Sequence, residues 1–357
     1  MSDTTTSAPH ASAAASDATA QLVPLTRKDF QTSNDVRWCP GCGDYAILAT
    51  MQRFLPELGV RKENMVFVSG IGCAARFPYY METYGMHTVH GRAPTIATGL
   101  KVARPELDVW VISGDGDSLA IGGNHTLHAL RRNVQIKILL FNNRIYGLTK
   151  GQYSPSSERG KITKSTPTGS VDHPVNPIQF ALGASGTFIA RTVDTDAKHM
   201  MSVLKKAHAH KGAAYIEILQ NCVVFNDGQW KHATDKSSKA QNVVVLEEGK
   251  PLLFNAGKQG VSFDRETLQP VIIDLEKEPE RISEVIVHDE KDPTGLMGYV
   301  YANMNTPDFP TPIGVFRQIE REAYDAEVNA QGADALEKKG RGNLRDLIYA
   351  GDMWTVE

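Results

Sequence analysis

Residues 109–152, VWVISGDGDSLAIGGNHTLHALRRNVQIKILLFNNRIYGLTKGQ, constrain the fold more than any other stretch of the chain. Val109–Ser113 is a continuous apolar run of the length of a buried parallel strand. It breaks at Gly114-Asp115-Gly116-Asp117-Ser118. A helix is predicted from there to about Arg132, with Asn133 as its stop. Val134–Phe141 reads as a second buried strand, ending in Asn142-Asn143. A strand–helix–strand crossover is right-handed and leaves its strands parallel, so Asp115 and Asn143 leave one sheet edge side by side. An acid and an amide oxygen at neighbouring strand ends, beside a glycine-opened helix N-terminus, suit a diphosphate held by Mg2+. The Asp115 carboxylate, the Asn143 side-chain oxygen and the Ile145 carbonyl would supply three oxygens of an octahedron, with phosphate and water supplying the rest. A Gly-Asp-Gly turn alone is a weak signal; its spacing of twenty-five residues from the Asn pair carries the argument. Asp117 and Ser118 fall at the helix start, where capping is their default role. Asp117 could instead accept a hydrogen bond from the cofactor.

The same alternation extends on both sides. Trp38-Cys39-Pro40-Gly41-Cys42-Gly43-Asp44 is turn-rich and leads into a helix over Tyr45–Phe54. Met65–Ser69 reads as a strand followed by the loop Gly70-Ile71-Gly72-Cys73, whose glycines would let backbone approach a ligand closely. His90-Gly91-Arg92-Ala93-Pro94 precedes a helix to about Ala103, with Pro94 suited to its first turn. Residues 153–173 lack periodicity and read as a long loop, a length usually kept for function. Helices follow at Pro177–Ala184 and Ala197–His210, and strands at Thr187–Val193 and Ala213–Leu219. This pattern predicts an α/β fold with a doubly wound parallel sheet, whose ligands sit beyond the strand C-terminal ends. Cys73, Asp115, Asn143 and Cys222 all fall at such ends. The organisation expected is a disordered tail over 1–25, a site-bearing domain over 26–227, and an irregular extension over 228–357 that covers the core or a partner. Within the extension, Glu320–Arg345 is highly charged and reads as a solvated helical face.

Cys39, Cys42, Cys73 and Cys222 are the chain's four cysteines. Four thiolates suit a structural zinc or an iron–sulfur cluster, and spacing does not separate the two. A C-x-x-C redox pair at a helix N-terminus would leave Cys73 and Cys222 unexplained. Two turn cysteines and two buried core thiols are the bland alternative. A net charge of −3 gives no support for nucleic acid or an anionic membrane as partner. Neither a membrane-spanning run nor a signal or transit peptide stands out, so a cytoplasmic protein is expected by elimination.

Taken together, the Asp115–Asn143 pairing resembles the thiamine diphosphate motif of thiamine-dependent enzymes. The segments Trp38–Gly43, Gly70–Cys73, His90–Ala93 and Tyr146–Gln152 narrow the resemblance to the β subunits of 2-oxoacid:ferredoxin oxidoreductases, most closely the 2-oxoglutarate branch. It covers roughly Asp29 to Asp227. The resemblance implies that Cys39, Cys42, Cys73 and Cys222 ligate one [4Fe–4S] cluster and that Asp115, Asn143 and Ile145 ligate Mg2+. It implies thiamine diphosphate contacts from Ile71, Gly72, Cys73, Ala74, His90, Gly116, Asp117, Gly147 and Leu148, although His90 could equally be a structural histidine. Arg76 and Lys150 lie a few residues from those positions and become candidates for the distal carboxylate of 2-oxoglutarate. Related subunits commonly carry Lys where Arg76 stands, and a bidentate fork is not equivalent to a point charge. The implied activity is oxidative decarboxylation of 2-oxoglutarate to succinyl-CoA and CO2, with electrons passed through the cluster to ferredoxin, or the reverse, CO2-fixing direction. The implied partners are an α subunit, ferredoxin, coenzyme A and the 2-oxoacid. The glutamate that activates the cofactor would come from the α subunit, so the chain alone is expected to be inert. Alternatives are a pyruvate or broad 2-oxoacid enzyme, a non-redox thiamine decarboxylase or carboligase, and a zinc-stabilised binding protein.

Overall fold

The computed structural model describes residues 24–267 and 269–356. The expected tail lies, apart from its last two residues, outside the described residues. Strands β1 Met65–Ser69, β2 Tyr84–His87, β3 Asp108–Gly114, β4 Lys137–Asn142, β5 Phe188–Val193 and β6 Ala214–Leu219 come first. Strands β7 Val243–Leu246, β8 Leu253–Phe254, β9 Gln259–Asp264, β10 Gln269–Asp274 and β11 Thr311–Gln318 complete the set. The first helices are α1 Asp44–Phe54, α2 Ala93–Ala103, α3 Asp115–Leu119, α4 Gly123–Arg131, α5 Pro177–Gly183 and α6 Ala197–Ala209. After them come α7 Lys231–Thr234, α8 Lys239–Asn242, α9 Leu296–Asn303, α10 Tyr324–Lys339 and α11 Leu344–Ile348.

An eight-stranded sheet in the order β2-β1-β3-β4-β6-β5-β11-β7 forms the centre. Neighbours are parallel from β2 through to β5. β1, β3, β4, β5 and β6 are apolar and buried almost throughout, as strands covered on both faces must be. Two apolar layers result. One is built on Val109, Val111, Ile138, Leu140 and Tyr215, the other on Phe67, Trp110, Ile112, Leu139 and Phe141. Alternate residues of the same strands feed opposite layers, as the two-residue period requires. The register pairs Gly114 of β3 with Phe141 of β4, and Asn142 of β4 with Leu219 of β6. Asp115, Asn143 and Gln220 therefore leave the sheet at one edge, side by side.

The structure departs from the sequence reading in four places. The single helix expected after Gly114 is two, α3 and α4, interrupted at Ala120-Ile121-Gly122. The second strand of the unit starts at Lys137 instead of Val134, because a tight turn joins the Ile136 N–H to the Val134 carbonyl. β2, an exposed edge strand, had no apolar run to announce it. Finally, residues 228–357 are less irregular than expected. β11 pairs antiparallel with β5 and parallel with β7, so this region supplies two strands of the central sheet. It also forms a small antiparallel sheet, β10-β9-β8. Helix α10 is the solvated, charged helix expected there, with only Asp325 buried.

Candidate active site

Two cavities open at the carboxyl edge of the parallel strands. The first, of about 400 Å³, is lined by the β1, β3 and β4 exits and the loop after β4. Ile71, Gly72, Cys73, Ala74, His90, Asp115, Gly116, Asp117, Asn143, Ile145, Gly147 and Leu148 all face it. The fold thus gathers in one place every residue expected to touch thiamine diphosphate or Mg2+. The second cavity, of about 240 Å³, contains Cys39, Cys42, Cys73 and Cys222 in its wall. Arg76 and Lys150 stand in this second cavity rather than the first, and Arg37 joins them. Cys73, Asn143, Gly147 and Leu148 belong to both walls and form the partition between the two.

Asp115 is buried at the N-terminus of α3. Its Oδ2 accepts hydrogen bonds from the hydroxyls of Ser154 and Ser156, the latter at 2.6 Å. Burial pushes the Asp115 carboxyl above its ordinary range, and these two hydroxyls oppose the rise. A cation at the site would favour the ionised form further. The Asn143 side-chain oxygen accepts from the Ile145 N–H at 3.1 Å, so the turn aims residues 143 and 145 together. Three oxygen donors of this kind, with space in front of them, fit the hard-cation and diphosphate chemistry expected from the sequence.

Asp117 does not cap its own helix. Its Oδ1 accepts from the backbone of Ile71 at 3.1 Å and of Gly91 at 2.7 Å, and lies 2.6 Å from His90 Nδ1. Its Oδ2 accepts from the Ser113 hydroxyl. One buried carboxylate thus ties together the β1 loop, the β3 exit and the His90 turn. A side chain at Gly70 would collide with it, since a Cβ there would lie 1.8 Å from Asp117 Oδ2. Ser118, also expected to cap, instead bridges α3 to α4 through the Thr126 hydroxyl at 2.9 Å. Gly116 is held beneath the Tyr146 ring, whose hydroxyl donates to the Gly116 carbonyl at 3.0 Å. Burial, with Asp115 nearby, pushes the Tyr146 phenol up to about 12, so it remains a donor at neutral pH.

The cysteine cavity is assembled from three segments distant in sequence. The Trp38 indole donates to the Cys73 carbonyl at 2.7 Å. The Gly43 N–H donates to the Asn221 carbonyl at 3.1 Å, fastening the C-x-x-C turn to the exit of β6. The Gln220 amide lies 3.2 Å from the Cys42 sulfur. None of the four cysteines is in a disulfide. Gly147 supplies the clearance between two of them, for a Cβ there would stand 3.4 Å from Cys73 Sγ and 3.7 Å from Cys222 Sγ. Burial pushes the Cys73 thiol up to about 11, and the Asp44 carboxylate adds to the rise. Burial and Asp44 push Cys42 higher still. Positive charge at the cavity centre would relieve this, since coordinated thiols are deprotonated. Four cysteine side chains in the wall of one cavity are the donor type that a zinc ion or an iron–sulfur cluster takes.

Sequence reasoning missed the serine run Ser154, Ser156 and Ser157, the Tyr146 platform and Arg37. The signal for the first was a Ser-Pro-Ser-Ser segment opening a long loop just after the Asn pair.

Residues 70–218 match the C-terminal TPP-binding domain of thiamine pyrophosphate enzymes. The chain is 49% identical over 343 residues to the 2-oxoglutarate oxidoreductase subunit KorB of Mycobacterium tuberculosis, covering 94% of this chain and 89% of that one. The 2-oxoacid:ferredoxin oxidoreductase subunit beta of Saccharolobus solfataricus is 46% identical over 201 residues, or 56% of this chain and 66% of its own length. Among solved structures, the 2-oxoglutarate:ferredoxin oxidoreductase from Magnetococcus marinus, with 2-oxoglutarate, coenzyme A and succinyl-CoA bound, matches with a TM-score of 0.72 at 30% identity. That match covers 92% of this chain and 97% of that chain. A shared sheet edge, a thiamine-binding profile and near full-length similarity agree: the chain belongs to the thiamine diphosphate-dependent 2-oxoacid:ferredoxin oxidoreductases, as a subunit of the KorB type.

Proposed function

We propose that this chain is the β subunit of a 2-oxoglutarate:ferredoxin oxidoreductase. The enzyme would convert 2-oxoglutarate, coenzyme A and oxidised ferredoxin to succinyl-CoA, CO2 and reduced ferredoxin. The observation that carries the reading is the partition between the two cavities. Cys73, Asn143, Gly147 and Leu148 serve both, so a cofactor in one cavity and an electron acceptor in the other would be a single side chain apart.

Thiamine diphosphate, when bound, supplies the electron sink that a 2-oxoacid decarboxylation needs. Asp115, Asn143 and the Ile145 carbonyl would hold its Mg2+ against the diphosphate. Gly116, Gly147 and Ile71–Ala74 would form the cradle, with His90 held beside it by Asp117. Cys39, Cys42, Cys73 and Cys222 would hold a [4Fe–4S] cluster. Arg76 and Lys150, with Arg37 nearby, offer cations for the distal carboxylate of 2-oxoglutarate. Asp115 and Asp117 are the only carboxylates among the described residues of the first cavity's wall, and both are already engaged. A glutamate that activates the cofactor would therefore be contributed by a companion α subunit.

The test is co-expression with the α subunit followed by ferredoxin reduction assays. The expected result is iron and visible cluster absorbance in the complex, with 2-oxoglutarate strongly preferred over pyruvate. A preference for pyruvate would remove the carboxylate role of Arg76 and Lys150. Activity of the isolated β chain would overturn the need for a partner.

A further inference from the structure

The turn that carries Asn143 and Ile145 is held from behind by a residue outside both cavities. Arg144, between the two, has a φ of 54°, a left-handed conformation that costs a long side chain free energy unless its surroundings impose it. The peptide groups on either side are pinned. The Asn142 carbonyl accepts from the Trp230 indole N–H at 2.9 Å and from the Gln220 N–H at 3.0 Å. The Asn142 carboxamide donates to Glu217 at 2.6 Å, and its oxygen accepts from Ser156 at 3.0 Å and from the Arg144 N–H at 3.2 Å. The Arg144 carbonyl accepts from Ser157 at 2.6 Å. The Arg144 guanidinium lies 4.2 Å over the Trp230 ring, facing the charges of Glu217 and Glu158. Its Nε is buried with no hydrogen-bond partner among the described residues, and the guanidinium is stacked on the indole. Trp230 is itself 5% exposed.

We propose that Trp230 and Arg144 form a clamp that imposes the 142–145 turn, with Trp230 a positioning residue for Mg2+ and diphosphate; the inference rests on the reading of the first cavity as their site. The indole N–H sets the peptide before Asn143. The stacked guanidinium sets the residue after it. Asn143 and Ile145 can then present their oxygens to one ion.

The test uses the αβ complex stripped of Mg2+ and thiamine diphosphate, titrated with both by calorimetry. Trp230→Phe keeps an aromatic ring and removes the N–H. Arg144→Lys keeps the charge and removes the planar stack. Each is expected to raise the half-saturating cofactor concentration about tenfold, the low end of the roughly 10–100-fold cost of losing a supporting contact at a metal site. Iron content, cluster absorbance and the KM for the 2-oxoacid at saturating cofactor should stay at wild-type values. Because the pair acts as one device, the double variant should bind no more weakly than the weaker single variant. Unchanged affinity in both single variants would overturn the proposal, as would additive losses. Loss of cluster iron together with cofactor affinity in both would also overturn it, by reducing the pair to a general structural role. A wild-type complex that takes up neither Mg2+ nor thiamine diphosphate would instead defeat the reading of the cavity, a result distinct from wild-type uptake with unaltered variants.

Discussion

At the scale of residues, the site depends on buried polar groups whose partners are specified. Asp115 is buried against two serine hydroxyls, and Asn143 is held by its own turn. Asp115→Asn and Asn143→Ala should each weaken Mg2+-dependent thiamine diphosphate binding by at least about tenfold, while leaving iron content intact. Calorimetry and iron analysis on the same preparation check both halves of that statement. His210 gives a separate, pH-dependent prediction. It is buried, bonded to the Thr187 hydroxyl at 2.8 Å, and burial with the nearby Lys137 charge pushes its pKa down from 6.5 to about 4. Between those values the unfolded chain binds the proton and the folded chain does not. Stability is therefore complete above about pH 6.5 and falls as the pH drops towards 4, by an amount on the order of 3 kcal/mol. Melting curves between about pH 7 and pH 5 should fall more steeply for the wild type than for His210→Gln, which has no proton to gain. Equal slopes would show that His210 is not the group responsible. Neither effect was visible in the chain as written. A histidine near a helix end carries no mark of its burial, and Ser154 and Ser156 are ordinary loop residues until the fold places them on Asp115.

Among the secondary-structure elements, the break between α3 and α4 matters most. The run Asp115–Arg132 contains no proline, and a single helix was the natural expectation. The break places Gly122 against Gly91 and the carbonyl of Asp117. A Cβ at Gly122 would stand 2.4 Å from that carbonyl oxygen and 3.0 Å from Gly91 Cα. Gly91 adopts a φ of 73° and sends its N–H to Asp117. The interruption thus lets the His90 turn reach the carboxylate that fastens it. Gly122→Ala forces backbone to move and is expected to cost about 1–3 kcal/mol. It should lower the melting temperature by a few degrees and weaken thiamine diphosphate binding. A variant with unchanged melting and unchanged cofactor affinity would show that the close approach is dispensable. The Gly122-Gly123 pair was the one trace of this break in the sequence, and glycine pairs are too common to be decisive without the contact they serve.

For the molecule as a whole, the sheet ties strands from the first half of the chain to strands from its last third. β11 covers the edge of β5, and β7 covers β11. Trp230, Val243 and Ile313 bury against Val193 and Leu219 at the ends of β5 and β6. Expression of residues 24–227 alone would leave the β5 edge open and that apolar patch bare. It is expected to yield insoluble or unfolded protein, judged by solubility and amide dispersion. A soluble, cooperatively melting fragment would show that the later strands are an accessory. Among the described residues no helix is long and apolar enough to cross a membrane.

The sequence by itself determined the strand–helix–strand unit, the parallel core and the edge at which its ligands gather. Those follow from local terms: apolar runs of strand length, glycine and asparagine at the turns, and the fixed hand of the crossover. Only the tertiary structure decided that β7 and β11 complete the sheet, that the candidate metal and thiamine residues form two cavities with a shared wall, and that the Trp230 indole meets the Asn142 carbonyl beside it. Those depend on contacts between residues far apart in the chain, such as Trp230 with Asn142 and Thr311 with Val243. No local pattern encodes such a meeting, because the free energy that holds it is released only when the whole sheet closes.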